Sequence, residues 1–164
     1  MGMVVCLRGA STEDLAVLRS DPDAADGYLF SQDAYEAGDV IDFDKAWHAL
    51  HFMLTGQVEE TDHPLSFLLK DPERLGTDNG YGGPWILSPE RTAKFHAELE
   101  KLSDEQIIER YDPAAMVAAD VYLADTFADE GEEAIEYIMQ GVPALRALLN
   151  RCANSGSCII GIIT

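Results

Sequence analysis

Ser157-Cys158-Ile159-Ile160-Gly161-Ile162-Ile163-Thr164 closes the chain. Side chains alternate across an extended segment, so its four isoleucines fall on both faces. A strand apolar on both faces is a central strand with helices on either side. The opposite end of the sequence gives a second short apolar run, residues 2–7, with β-branched Val4 and Val5, which reads as a buried strand. Between these ends the patterns are mostly helical. The fold class that follows is α+β: a small mixed sheet with strands from both chain ends, packed by several helices in a three-layer α/β/α-like arrangement.

The intervening segments carry their own punctuation. Ser11 or Thr12 caps a helix whose first turn holds Glu13 and Asp14 and whose apolar stripe is Leu15 and Leu18. Residues 20–42 read as loop, with one short helix near Leu29–Tyr35. Asp42 or Asp44 caps the next helix, which runs to about Leu54 and stops at Gly56. Pro64 at a first-turn position predicts a short helix through Leu65, Leu68 and Leu69. A glycine-rich loop, Leu75–Gly83, precedes a brief extended segment, Trp85-Ile86-Leu87. Ser88-Pro89-Glu90 then opens a helix to about Leu102, and Ser103 caps another that ends near Tyr111. Asp112-Pro113 starts a further helical stretch. Residues 130–140 form an acidic amphipathic helix with Ile135, Ile138 and Met139 inward, and Pro143 opens a last helix to about Cys152, followed by a turn at Asn154-Ser155-Gly156. No linker, repeat or low-complexity tract interrupts the pattern, so residues 1–164 read as one domain.

Charge is the unusual feature of the composition. Thirty acidic side chains face 11 basic ones, for a formal net charge of −19. Nucleic-acid backbones are bound by Lys and Arg that displace counterions, so a nucleic-acid partner is excluded, and an anionic membrane surface is disfavoured for the same reason. The excess is concentrated. Eight acids and no base lie between Arg19 and Lys45, and again eight acids and no base between Arg110 and Arg146. Such stretches suit a basic protein partner, as small acidic inhibitors do, or simply keep the surface soluble.

The start of the sequence lacks a basic segment and a long apolar run, and no stretch approaches the roughly 20 apolar residues that span a bilayer. The expected location is the cytoplasm. Cys6, Cys152 and Cys158 form no CxxC pair, so neither a disulfide framework nor a metal site is expected, and no cofactor motif is present. Cys6 and Cys158 read as small buried hydrophobes.

One segment stands out as a signature. In Asp44-Lys45-Ala46-Trp47-His48-Ala49-Leu50-His51-Phe52-Met53-Leu54-Thr55-Gly56, residues Trp47, Leu50, His51 and Leu54 share one helical face. A helix apolar nearly all round is buried, which makes His51 a core histidine that needs hydrogen-bond partners. Asp44 and His48 stand at i and i+4, a spacing at which a carboxylate orients an imidazole for proton transfer; the plainer reading is a capping Asp beside a half-exposed His. The glycine-rich loop lacks Gly-Lys-Ser/Thr and reads as a surface turn, although Tyr81 and Trp85 could line a pocket.

The pattern Asp42-x-Asp44-Lys45-x-Trp47-x-x-Leu50-His51-Phe52-x-Leu54-Thr55-Gly56 resembles the hallmark of the YfbM-like family of uncharacterised bacterial proteins. The start Met1-Gly2-Met3, the segment Pro64–Leu69, Leu87-Ser88-Pro89-Glu90 and Tyr111-Asp112-Pro113-Ala114-Ala115-Met116 are similar to the family as well, so the resemblance spans nearly the whole chain. It implies a compact α/β fold with helices around a sheet and transfers no catalytic residue. One departure falls at Val121-Tyr122-Leu123, where Tyr122 matches but the Pro that relatives commonly carry next, and a Trp a few residues on, are missing. The motif and pocket candidates are therefore Asp44, Trp47, His48, His51, Thr55, Tyr81, Trp85 and Tyr122. The functional expectation is a binding or interaction protein, an inhibitor of a basic partner being its sharpest form. A small-molecule enzyme with a His/Asp site beside the glycine-rich loop, and a subunit of a homo-oligomer, are the alternatives.

Overall fold

Two strands form the middle of the sheet, and they come from the two chain ends. The structure, a computed structural model, describes residues 2–164; Met1 of the family-like start lies outside them. In chain order the elements are β1 (Val5–Ala10), α1 (Thr12–Ser20), α2 (Ala25–Leu29), α3 (Gln32–Glu36), β2 (Val40–Asp42), α4 (Trp47–Thr55), β3 (Trp85–Leu87), α5 (Pro89–Leu99), α6 (Asp104–Ile108), α7 (Pro113–Ala118), α8 (Ala124–Glu130), α9 (Glu132–Met139), α10 (Val142–Ser155) and β4 (Cys158–Ile163). Short 3₁₀ turns occupy Pro22–Ala24 and Asp44–Ala46. The sheet order is β2-β1-β4-β3.

The α+β class and the two terminal strands are as the sequence implies. The strand directions differ from the expected mixed sheet: β1 pairs antiparallel with both β2 and β4, and β3 pairs antiparallel with β4. A mixed sheet needs a parallel pair, and the connections here deliver each strand in the opposite sense to its neighbour.

Both faces of the sheet are covered. Val5, Leu7, Trp85, Leu87 and Ile159 look into the main core, which α4 to α10 build. Cys6, Ala10, Ile86, Cys158, Ile160 and Ile162 look the other way, onto Leu15 and Leu18 of α1 and Ala25 and Leu29 of α2. This is why β4 has no polar face. Gly161 interrupts its isoleucines for a steric reason. A Cβ there would lie 2.5 Å from the Trp85 ring and 2.9 Å from Leu7 Cδ2. Gly161→Ala is therefore expected to destabilise the fold by about 1–3 kcal/mol, the usual cost of overpacking, measured by urea unfolding. A neutral outcome would mean that the ring shifts freely.

Local capping explains half of the helix starts. Ser11 accepts from the Asp14 N–H, Ser88 from Arg91, and Asp112 from Ala115. Ser103 and Gln106 form a reciprocal capping box. Gly56 and Gly156 end α4 and α10 in the left-handed conformation.

Four expectations need correction. Residues 64–69 form no helix, because Ser66 Oγ donates to the Leu68 carbonyl and accepts its N–H, which closes a tight turn instead. The first strand begins at Val5 and runs to Ala10, later than residues 2–7. The 20–42 loop holds β2 and two short helices that break at Phe30 and Ser31, with Ser31 capping α3. Neither Asp42 nor Asp44 caps α4. Asp42 accepts the Asp44 N–H, and the α-helix begins only after the 3₁₀ turn. Among the described residues no helix is long and apolar enough to cross a membrane.

Candidate functional site

The signature helix α4 is a packing element. Trp47 is 5 % exposed and donates its indole N–H to the Met3 carbonyl at 2.9 Å, while Tyr122 accepts the Met3 N–H. The two rings lie 6.0 Å apart, so together they pin the segment before β1. His48 stacks on Trp47 at 4.8 Å. Its Nδ1 accepts from the Tyr122 N–H, so its Nε2 must carry the proton that goes to the Val58 carbonyl. His51 is fully buried, with Nε2 donating to the Glu59 carbonyl and Nδ1 facing the Ser66 hydroxyl at 3.5 Å. Burial holds it neutral and lowers its pKa to about 4, and burial lowers that of His48 as well. His48 therefore spends both ring nitrogens on the fold, and His51 spends Nε2 and has Nδ1 sealed in the core against Ser66. Thr55 does likewise, donating to the His51 carbonyl and accepting from the Gln57 N–H.

The remaining candidates lie elsewhere. Asp44 does not pair with His48; it accepts a 2.7 Å hydrogen bond from the Tyr137 hydroxyl. Trp85 is buried against Gly161 and donates to the Phe67 carbonyl, whereas Tyr81 is exposed. The crevice between them encloses about 10 Å³. The glycine-rich loop is wound around two of its own side chains. Asp78 Oδ1 accepts from Gly80 and Gly82, and Asn79 Oδ1 from Tyr81 and Gly83. These N–H groups are the ones a phosphate would need, and they are already used. The departure at Leu123 has a backbone counterpart. Its φ of +62° is one that proline cannot adopt.

The three cysteines are buried and free, and burial pushes the Cys6 and Cys158 thiols up to about 11, away from thiolate chemistry. Among the described residues no group of three or more His, Cys, Asp or Glu is placed to hold a metal ion. A depression of about 270 Å³ carries Arg8 and Arg151, but Asp14 and Asp39 line it too and balance them.

The structure exposes the acidity and joins the two acidic stretches at one point. All eight acids of the first base-free stretch and all eight of the second are exposed. The two stretches meet where Tyr137 on α9 accepts the Lys45 N–H and donates to Asp44. Burial first, and then Asp44, push the Tyr137 hydroxyl up to about 12, so it stays a donor. Beside this junction runs an open groove of about 550 Å³, lined by Val40, Ile41, Asp42, Asp44, Gln140, Gly141 and Ala144. Phe43 closes its base from beneath, since a Cβ on Gly141 would lie 2.6 Å from the Phe43 ring. Tyr137, Gln140, Gly141 and Ala144 carried no sequence signal; only their approach to β2, about a hundred residues earlier in the chain, marks them.

A family model described as Domain of unknown function (DUF1877) matches residues 1–162. No curated protein matches the chain. Among solved structures, the chain is similar to YfbM from Escherichia coli, described as a protein of unknown function, with a TM-score of 0.72 and 21 % identity over 98 % of this chain and 99 % of that one. At that identity the likeness speaks for the fold.

Proposed function

The chain belongs to the DUF1877 family of domains of unknown function, and we propose that it is a cytoplasmic binding protein whose acidic face receives a basic protein partner. One observation carries this reading: the sixteen carboxylates of two base-free stretches are all exposed, and the two stretches meet at Asp44 and Tyr137. Like charges gathered near that junction raise the local potential and accelerate encounter with a cation-rich surface. The competing enzyme reading needs a histidine with a free ring nitrogen at a cavity; His48 has both of its nitrogens occupied, and His51 is fully buried.

Binding of a lysine-rich polypeptide, followed by surface plasmon resonance, tests the proposal. The association rate is expected to fall about tenfold or more as salt rises from low to above-physiological strength. Neutralising Asp42→Asn, Asp44→Asn and Glu136→Gln should weaken binding at low salt about tenfold. The same charge change on the α5–α6 side, Glu100→Gln, Glu105→Gln and Glu109→Gln, should have little effect. Equal losses from the two sets would reduce the acidity to plain net charge and sink the reading.

A further inference from the structure

The two edges of the sheet are treated differently. The outer side of β3 is covered: the Ile86 N–H donates to the Glu73 carbonyl, the Leu75 N–H donates to the Pro84 carbonyl, and Arg74 bridges to Trp85. Among the described residues, the outer side of β2 has no such neighbour in the sheet. Which of its backbone groups are open follows from the register. The Phe43 N–H donates to the Val5 carbonyl, so the hydrogen-bonded pairs of this antiparallel ladder are Val5 with Phe43 and Leu7 with Ile41. The alternate residues Val40 and Asp42 then turn their N–H and C=O groups outward, four hydrogen-bonding groups in a row.

An open edge invites pairing with another chain, and proteins usually blunt it. Here the surroundings select what can pair. Asp39, Asp42 and Asp44 flank the edge and are exposed. Asp42 shares one face of the sheet with Val40, while Ile41, between them, points to the opposite face, where Gly141 and Ala144 complete the groove. An added strand would lay alternate side chains beside Asp42 on one face and over Ile41, Gly141 and Ala144 on the other.

We infer that the partner contributes an extended segment with Lys or Arg at alternate positions and small apolar residues between them, and that this segment adds to the sheet as a fifth strand beside β2. The inference rests on the acidic-face reading and names the part of the partner that reaches it. Backbone pairing supplies affinity, and the alternation of charge and apolarity supplies selectivity.

Amide hydrogen exchange read residue by residue tests it, with the end-capped peptide Lys-Val-Lys-Val-Lys-Val-Lys as probe and its Glu-Val counterpart as control. In the free protein the amides of Val40 and Asp42 are expected to exchange fast, and that of Ile41, bonded to Leu7, slowly. The basic peptide is expected to slow Val40 and Asp42 about tenfold or more and to leave Ile41 unchanged. The protection should vanish in an Asp39→Asn, Asp42→Asn, Asp44→Asn variant. It should also vanish in Ala144→Arg, an exposed position where the added side chain fills the groove without entering the core. Salt-sensitive binding without protection of those two amides would overturn strand addition and leave the acidic face standing. Equal protection by the Glu-Val peptide would overturn the charge selection. No binding of the basic peptide at low salt would overturn both.

Discussion

Trp47→Ala is expected to cost about 3–5 kcal/mol of folding stability, the range seen when a buried Trp or Phe is cut to Ala. For a chain of this size that lowers Tm by roughly 6–20 °C. The cost has three sources in the structure. The ring is buried against His48 and Tyr122, so its removal leaves a cavity in the main core. The Met3 carbonyl loses its indole donor. The segment before β1 then keeps only the Tyr122 hydroxyl on the Met3 N–H, at 3.2 Å. Trp47→Phe separates these contributions. It keeps most of the packing and removes the hydrogen bond, so a loss of about 1–2 kcal/mol is expected. Chemical denaturation of the three proteins at pH 7 measures both. A loss below about 1 kcal/mol for the alanine variant would show that the ring lines a surface rather than filling the core.

The same helix shows how far the sequence carries. Its burial, its end at Gly56 and the core character of His51 follow from spacing alone, because each depends on residues within one or two turns. The partners of its histidines do not. His48 is fixed by the Tyr122 N–H, 74 residues away, and His51 by a carbonyl from the segment that follows the helix and by Ser66. The sheet divides in the same manner. β4 is legible because helices cover both of its faces, which writes isoleucine at nearly every position. β2 is only three residues long, with acids on either side, and exists because β1 offers it a ladder, so its local composition reads as loop. Pro64 gave a helix signal that the Ser66 side chain overrules by taking the backbone groups of Leu68. The acidity is visible as two base-free runs, but that the runs meet beside the edge strand β2 is a fact of packing between distant segments.

His51 also makes stability depend on pH in a window where few carboxylates titrate. Its pKa is about 4 in the folded protein, against an ordinary value of 6.5. Well above pH 6.5 the ring is neutral in both states and the group has no effect. Below 6.5 the unfolded chain takes up a proton that the folded protein refuses, so stability falls as pH falls, and the loss levels off only below about pH 4. The full effect is of order 3 kcal/mol, and roughly half of it is expected between pH 6.5 and 5. His48, shifted in the same direction by burial, adds to the slope. The large negative charge works the other way. Protonating exposed carboxylates relieves their repulsion, but with ordinary values near 4 they contribute mainly below pH 5. Urea unfolding at pH 6.5 and at pH 5.0 therefore isolates the histidines: the native protein is expected to lose about 1.5 kcal/mol or more on acidification. His51→Gln, which can still donate to the Glu59 carbonyl but cannot titrate, should start less stable and lose most of that slope. An unchanged slope in the variant would mean that His51 accepts a proton in place. Its surroundings argue against that, because the ring is buried in the core and, among the described residues, no carboxylate pairs with it.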